Sequence, residues 1–315
     1  MTAGLPQVRP AAGLPSRVRI HEVGPRDGLQ NESATVDTDV KAEFVQRLVE
    51  AGLTTVETTS FVHPTWVPQL ADAAELLGRI RRRPGVRYPV LVPNERGLAR
   101  ALECGASEIA VFASATETFA QRNLNRTVEQ SLEMFAPVVA GAREAGLTVR
   151  GYLSMCFGDP WEGPVDPAQV VGVGRRLLEL GCGELSLGDT IGVATAGQVR
   201  GLLADFAAAG VGVDRLAVHF HDTYGQALAN TYAALESGIS VVDASAGGLG
   251  GCPYAGSATG NLATEDLVWM LTGLGIEHGV DLERLVETSR WMAERLGRPS
   301  PSRTVQALAK KEQER

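Results

Sequence analysis

The sequence predicts a (β/α)8 TIM barrel with a C-terminal helical extension. Eight strand-like segments alternate with helix-like segments from about residue 17 onward. These units occupy about 260 residues, which is the usual size of such a barrel. The first strand-like segment is not followed by the glycine fingerprint of a dinucleotide-binding open sheet. We therefore expect one α/β barrel domain and not the two domains that length alone would suggest.

Residues 1–16 are rich in proline, alanine and glycine and show no apolar period. This composition predicts a disordered N-terminal extension, because it offers little apolar surface to bury. A single catalytic domain is expected over 17–315, with a helical tail from about residue 282.

The elements follow from the spacing of apolar residues. The first strand is predicted at Val18–Val23, and a helix at Asp37–Ala51 places Val40, Phe44 and Leu48 on one face. Seven further strands are predicted at Thr54–Thr58, Tyr88–Val92, Glu108–Phe112, Thr148–Ser154, Glu184–Leu187, Leu216–Phe220 and Val241–Asp243. Helices are predicted between them, including Thr65–Arg81, Thr127–Ala145, Pro167–Leu180, Thr195–Ala209, Tyr224–Ser237 and Thr264–Gly273.

Composition and charge exclude several classes of partner. The chain has 29 Lys+Arg and 37 Asp+Glu, a net charge of −8, and no basic block, which argues against nucleic acid as a partner. No stretch approaches the roughly 18 apolar residues of a membrane-spanning helix, so we expect no membrane partner. The four scattered cysteines, with no secretory leader and no peroxisomal tripeptide at the C-terminus, favour reduced thiols in a cytoplasmic enzyme.

Lysine is rare, and its positions argue against three enzyme classes. Only Lys41, Lys310 and Lys311 are lysines. A Schiff-base aldolase, a pyridoxal-phosphate enzyme and a Walker-A nucleotide binder each need a lysine at the working centre. Lys41 lies in a helical pattern and the other two lie in the polar tail, so none is placed for such a role.

Potential metal ligands follow the predicted strands. The active site of a barrel lies at the carboxyl ends of its strands. His219 and His221 are two residues apart on the seventh strand, so both imidazoles point to one face. Asp27 and Asn261 follow the first and eighth strands, which are the seventh strand's close neighbours in a closed barrel. Two nitrogens, a carboxylate and an amide oxygen suit an octahedral Mg²⁺ or Mn²⁺ with two positions left for substrate.

Three further residues fit chemistry at the same mouth. Arg26 is a cation beside Asp27, placed to stabilise an oxygen on which negative charge develops. Glu57, one strand over, can hold that guanidinium. Cys252 lies among six glycines between residues 247 and 260, a composition typical of a loop that closes over a site.

Five segments resemble the 3-hydroxy-3-methylglutaryl-CoA lyase family. They are 23–32 (VGPRDGLQNE), 57–62 (ETTSFV), 187–192 (LGDTIG), 219–223 (HFHDT) and 250–255 (GGCPYA). The likeness extends from about Val18 to Gln306, and the cysteine loop distinguishes this family from other metal-dependent barrels that share the Arg-Asp and His-x-His parts. Two positions depart from the family pattern: Asp159-Pro160-Trp161 replaces the common Cys-Pro-Tyr, and Ser33 stands where many relatives have lysine.

The resemblance implies a TIM barrel that uses Mg²⁺ or Mn²⁺ and cleaves 3-hydroxy-3-methylglutaryl-CoA to acetyl-CoA and acetoacetate. The implied roles, residue by residue, are metal ligation by Asp27, His219, His221 and Asn261, catalysis by Arg26 and Cys252 with support from Glu57 and Asp189, and substrate or CoA contacts by Gln30 and Asn123. The partner would be an acyl-CoA thioester, and we also expect a homodimer.

Several alternatives stay open at this point. They are a lyase for a longer-branched 3-hydroxyglutaryl-CoA analogue, a Claisen-condensing synthase of the same superfamily and a metal-binding scaffold without catalysis. A biotin carboxyltransferase barrel is disfavoured, because it would want a lysine among its metal ligands. The general base is open among Asp27, Asp189 and His219, since a group that coordinates a metal is a weaker base than a free one.

Overall fold

The computed structural model describes residues 5–32, 34–251 and 260–313. In these ranges the chain forms eight parallel strands and eleven α-helices. The strands, β1 to β8, are Arg19–Glu22, Thr59–Ser60, Val90–Leu91, Glu108–Ser114, Thr148–Ser154, Glu184–Asp189, Leu216–Phe220 and Val241–Ala244. The helices, α1 to α11, are Thr38–Glu50, Ala73–Arg79, Glu95–Glu103, Glu117–Leu124, Val128–Glu144, Pro167–Leu180, Ala196–Ala208, Ala227–Glu236, Thr264–Gly273, Leu282–Leu296 and Arg303–Gln313.

The strands close into a barrel. The sheet runs β1-β8-β7-β6-β5-β4-β3-β2, and every neighbouring pair is parallel. On the remaining side, the Glu22 N–H donates to the carbonyl of Thr55 at 3.0 Å and the Glu57 N–H donates to the carbonyl of Glu22 at 2.8 Å. These bonds join β1 to the chain before β2, and helices connect the successive strands. The predicted TIM barrel is confirmed, as is the helical extension formed by α10 and α11.

The second strand is shorter and later than predicted. The sequence predicts it at Thr54–Thr58, whereas regular pairing begins at β2. Within the predicted stretch, Thr55 pairs with Arg87 on one side and Val56 pairs with Glu22 on the other, each through a single bridge. The stretch therefore lies in the barrel wall, but its partners alternate before a continuous ladder forms.

The predicted helix Thr65–Arg81 is divided into two parts. A 3₁₀ turn covers Pro68–Leu70, and α2 begins at Ala73. Proline fits the first position of a helical turn, where its missing N–H is not needed, but it does not fit a helix interior. One further helix, α4, lies between β4 and α5 and reaches the carboxyl end of the barrel.

Residues 5–16 form no helix or strand. The N–H of Arg9 donates to the carbonyl of Gly273 at 2.8 Å, which places this segment beside the end of α9. Disorder of 1–16 and a single domain over 17–315 stay predictions. Among the described helices, none combines the length and apolar content needed to cross a bilayer.

Candidate metal and substrate site

A tight turn after β1 positions two of the predicted site residues. The N–H groups of Asp27 and Gly28 both donate to the carbonyl of Val23, at 2.8 and 3.1 Å, which forms a π-helical turn over 24–28. A Cβ on Gly28 would lie 2.8 Å from Ser245 Oγ and 2.9 Å from Leu249 Cβ. Glycine is therefore required for the turn to pack against the chain after β8.

Three predicted metal ligands come together at the mouth. Among the described residues, Asp27, His219 and His221 place a ligand atom each within 4.8 Å of one another. Asn261 joins them, since its Nδ2 donates to Asp27 Oδ2 at 2.8 Å and to the carbonyl of Leu249 at 3.0 Å. The backbone of Asn261 also pairs with that of His221.

Two buried polar atoms of this cluster favour a bound cation. His221 Nδ1 and Asn261 Oδ1 are buried and have no hydrogen-bond partner among the described residues. Leaving such atoms unsatisfied costs free energy, and a divalent cation takes a lone pair from imidazole nitrogen and from amide oxygen. The residues present thus fit a divalent ion.

Electrostatics keep Asp27 and His221 in the forms that bind a metal. Burial would raise the pKa of Asp27, but the Arg26 guanidinium and the two histidines lower that pKa to about 2. Burial and repulsion by His219 lower the pKa of His221 to about 4. At neutral pH the carboxylate is ionised and the His221 imidazole is neutral, as metal binding requires.

A buried carboxylate orients His219. Asp243 Oδ2 lies 3.3 Å from His219 Nδ1 and accepts from Ser186 Oγ at 2.8 Å, while Asp243 Oδ1 accepts from Arg150 Nη2 at 2.6 Å. Burial opposes ionisation of Asp243, but the Arg150 charge and the histidine contacts hold its pKa well below the usual range. This partner favours the proton on Nδ1 and leaves Nε2 as the ligand atom.

Arg26 is a fixed, nearly buried cation. Its Nε donates to Glu57 Oε1 at 2.6 Å and its Nη1 donates to Asp27 Oδ1 at 2.7 Å. Tyr152 Oη donates to the second oxygen of Glu57, and the Arg26 Cζ lies 5.4 Å from the Tyr152 ring centroid. Burial would lower the pKa of Arg26, but Glu57 and Asp27 raise it above the usual range, so the guanidinium stays charged.

Glu22 ties together three segments that lead to site residues. Its Oε1 accepts from the N–H groups of Gly24 and Ala246, both at 2.8 Å, and its Oε2 accepts from Thr264 Oγ1 at 2.6 Å. Gly24 precedes Arg26, Ala246 begins the turn over 246–248, and Thr264 follows Asn261. Burial raises the pKa of Glu22 to about 7.

A cavity of about 720 Å³ opens above this cluster. Its lining includes six residues predicted for the site, namely Arg26, Asp27, Gln30, Asn123, His219 and His221. Glu57 and Asn261 are fully or nearly buried and lie behind the lining. The volume lies in the range usual for small-molecule sites.

Asp189 occupies a different position from the other predicted residues. Its carboxylate accepts from the N–H groups of Val193 and Ala194, at 2.9 and 3.0 Å, and is not among the described lining residues. Burial raises the pKa of Asp189 to about 6. It fixes the turn after β6, beside Gly188 and Thr190, which do line the cavity. The predicted Cys252 and the departure at Ser33 lie outside the described residues.

Glu22, Tyr152 and Asp243 have no role that is predicted from the sequence. Each lies in a strand whose residues are mostly buried, and each is itself buried. A polar or ionisable side chain in a buried strand needs a partner, so this pattern could have marked all three. The identities of those partners depend on strands far apart in the chain.

Comparison with known proteins identifies the family. The sequence model of the HMGL-like family matches residues 17–292. The chain belongs to the HMGL-like family. Mitochondrial hydroxymethylglutaryl-CoA lyase of Rattus norvegicus is 52% identical over 297 residues, which cover 94% of this chain and 91% of that protein. The cytoplasmic 3-hydroxy-3-methylglutaryl-CoA lyase of the same organism is 50% identical over 299 residues, which cover 95% of this chain and 87% of that protein.

A solved structure of an HMGL-like protein also matches closely. The crystal structure of hydroxymethylglutaryl-CoA lyase from Pseudomonas aeruginosa superposes with a TM-score of 0.92 at 52% identity. The match covers 95% of this chain and 99% of that one, so the barrel and its helical extension are shared along nearly the whole chain.

Proposed function

We propose that this chain is a carbon–carbon lyase that cleaves 3-hydroxy-3-methylglutaryl-CoA to acetyl-CoA and acetoacetate. The observation that carries the proposal is the similarity, along nearly the whole chain, to proteins named as lyases of that thioester. The cavity geometry supports it, because a cluster of metal-ligating groups and a fixed cation face one space.

Asp27, His219, His221 and Asn261 would hold a divalent ion, and the mixed oxygen and nitrogen donor set favours Mg²⁺ or Mn²⁺. Such an ion would lower the pKa of the substrate's tertiary hydroxyl. The chain's part is to orient these ligands, through Asp243 at His219 and through Leu249 at Asn261.

Cleavage transfers the hydroxyl proton to a base and shifts the electron pair of the C2–C3 bond into the thioester, while the electron pair of the O–H bond forms the new carbonyl. The thioester fragment leaves as an enolate. Arg26 is placed to stabilise the enolate oxygen. Asp27 and His219 are the base candidates that face the cavity, whereas the Asp189 carboxylate is engaged with backbone N–H groups.

An assay of substrate range tests the proposed function. Purified protein with Mg²⁺ or Mn²⁺ should release acetyl-CoA and acetoacetate in equal amounts from 3-hydroxy-3-methylglutaryl-CoA. A longer-branched 3-hydroxyglutaryl-CoA analogue should be cleaved more slowly. Preference for the analogue would reassign the substrate, and no acetyl-CoA from either thioester would refute the lyase proposal.

We assign the final proton transfer, to the enolate carbon, to Cys252. Cys252→Ser should retain the fold and metal binding but lose most of kcat, since a hydroxyl is a much poorer acid than a thiol of pKa about 8.5. Kinetics and metal titration on the same preparation check this. Cys156→Ser, at a buried free cysteine of β5's loop, is the matched control and should leave the chemical step unchanged. Native turnover by Cys252→Ser would assign the proton to another group.

Two further proposals concern the cellular compartment and the oligomeric state of the enzyme. We place the enzyme in the cytoplasm, which agrees with the cytoplasmic form among its relatives. We also propose that it acts as a homodimer, which sedimentation velocity of the purified protein would test.

A further inference from the structure

The rim of the cavity is positively charged although the chain as a whole is acidic. Arg122 and Arg126, at the end of α4, line the cavity and are exposed. Asp27 supplies the one carboxylate among the described lining residues, and it is paired with Arg26, so Arg122 and Arg126 leave an excess of positive charge at the rim. The chain's net charge is −8. A local excess of positive charge at the mouth therefore attracts an anion that the rest of the surface repels.

Trp161 holds Arg122 at this rim. The Arg122 Cζ lies 4.4 Å from the centroid of the Trp161 ring, which is 38% exposed. Stacking of this kind orients a guanidinium while leaving its N–H groups free for a ligand. Within the described ranges, no carboxylate forms an ion pair with Arg122.

The loop that carries Trp161 is itself tied to α4. Asp159, 3% exposed, accepts from Thr116 Oγ1 at 2.7 Å and from the N–H groups of Trp161 and Glu162 at 2.7 and 2.9 Å. Glu162 Oε1 in turn accepts from the N–H of Thr118 at 2.6 Å. These bonds join the loop after β5 to the start of α4, so Trp161 and the helix that bears Arg122 form one unit.

We propose that Arg122, positioned by Trp161, determines specificity for the phosphate groups of the thioester carrier. A planar guanidinium binds phosphate oxygens in pairs, and the adenosine nucleotide of CoA carries three phosphates. The inference rests on the proposed function, because it takes the CoA thioester as substrate. The motif Asp159-Pro160-Trp161 then fixes the guanidinium of Arg122, and this guanidinium binds the phosphates at the end of CoA that is far from the thioester.

Truncation of the substrate separates a phosphate contact from a structural effect. With the CoA thioester, Arg122→Gln should raise KM about tenfold and leave kcat within about twofold. With the corresponding pantetheine thioester, which has no phosphoadenosine group, kcat/KM should be the same for variant and parent. Arg143→Gln, on the exposed C-terminal end of α5 and at the opposite end of the barrel, is the control and should change neither substrate's KM.

Direct binding of CoA distinguishes failure of this inference from failure of the proposed function. Calorimetry should show about tenfold weaker binding of CoA to Arg122→Gln and unchanged binding of pantetheine. If the parent binds CoA in this Arg122-dependent way but cleaves no thioester, the proposed function fails and the inference holds. Equal losses with CoA and pantetheine thioesters, or no loss with either, would overturn the inference and leave the lyase activity in place.

A double-mutant cycle tests the positioning role of Trp161. Trp161→Ala should raise KM for the CoA thioester, and Trp161→Phe, which retains an aromatic face, should restore most of the affinity. The Arg122→Gln/Trp161→Ala double variant should be no worse than Arg122→Gln alone. Additive losses, or no rescue by phenylalanine, would show that Trp161 acts through the fold and not through Arg122.

Discussion

Replacing Arg26 by glutamine should lower kcat by about 10³ or more, with a smaller change in KM. Losses of this size follow removal of a preorganised group that stabilises developing charge. The geometry suits that role, since Glu57 and Asp27 each hold one nitrogen of the guanidinium and leave the remaining nitrogen of the fork for substrate. Steady-state kinetics with 3-hydroxy-3-methylglutaryl-CoA measure both constants.

The Arg26→Lys variant should not recover the kcat that Arg26→Gln loses. A lysine ammonium is a point charge on a flexible stem and cannot bond Glu57 and Asp27 in the same plane. Arg26→Lys should therefore stay well below the parent in kcat, while Arg143→Gln, far from the mouth, should match the parent. If Arg26→Gln instead kept kcat and lost only affinity, Arg26 would be a binding residue.

Removal of divalent ions should abolish activity, and Mg²⁺ or Mn²⁺ should restore it. The expectation rests on the cluster of Asp27, His219 and His221 and on Asn261 Oδ1, which has no hydrogen-bond partner among the described residues. Titration of Mn²⁺, followed by its electron paramagnetic resonance signal, should reveal one site per chain without reference to turnover. Full activity after confirmed removal of all metal would contradict the assignment.

Substitution of two ligands should weaken Mn²⁺ binding to different extents, and the stronger donor should cause the larger loss. His221→Ala should weaken Mn²⁺ binding by more than about 100-fold, beyond the range typical when only an outer partner is lost. Asn261→Ala should have a milder effect, because a neutral amide oxygen is the weaker ligand. His278→Ala removes a histidine that bonds Thr272 outside the site and should bind Mn²⁺ as the parent does. Equal affinities for all three variants would exclude the cluster as the metal site.

Much of the candidate site could be predicted, because barrel topology brings the residues that follow each strand to one end of the barrel. Parallel strands bring their carboxyl ends to one mouth, so residues that follow different strands meet there without knowledge of the exact pairing. Asp27, His219 and His221 satisfy this rule, and their ligand atoms do lie together. The second strand illustrates the limit of such reasoning, since the predicted stretch Thr54–Thr58 lies in the barrel wall but pairs through single bridges.

The sequence by itself determined the barrel and the end of it at which the donor groups of Asp27, His219 and His221 meet. These properties depend on periodicity and on the order of elements along the chain. Tertiary structure alone decided which groups orient those donors. His219 lies beside Asp243 because β7 and β8 pair in that register, and Trp161 meets Arg122 because a loop after β5 bonds to the start of α4. Register and loop packing arise from contacts between residues distant in the chain, so no local pattern encodes them.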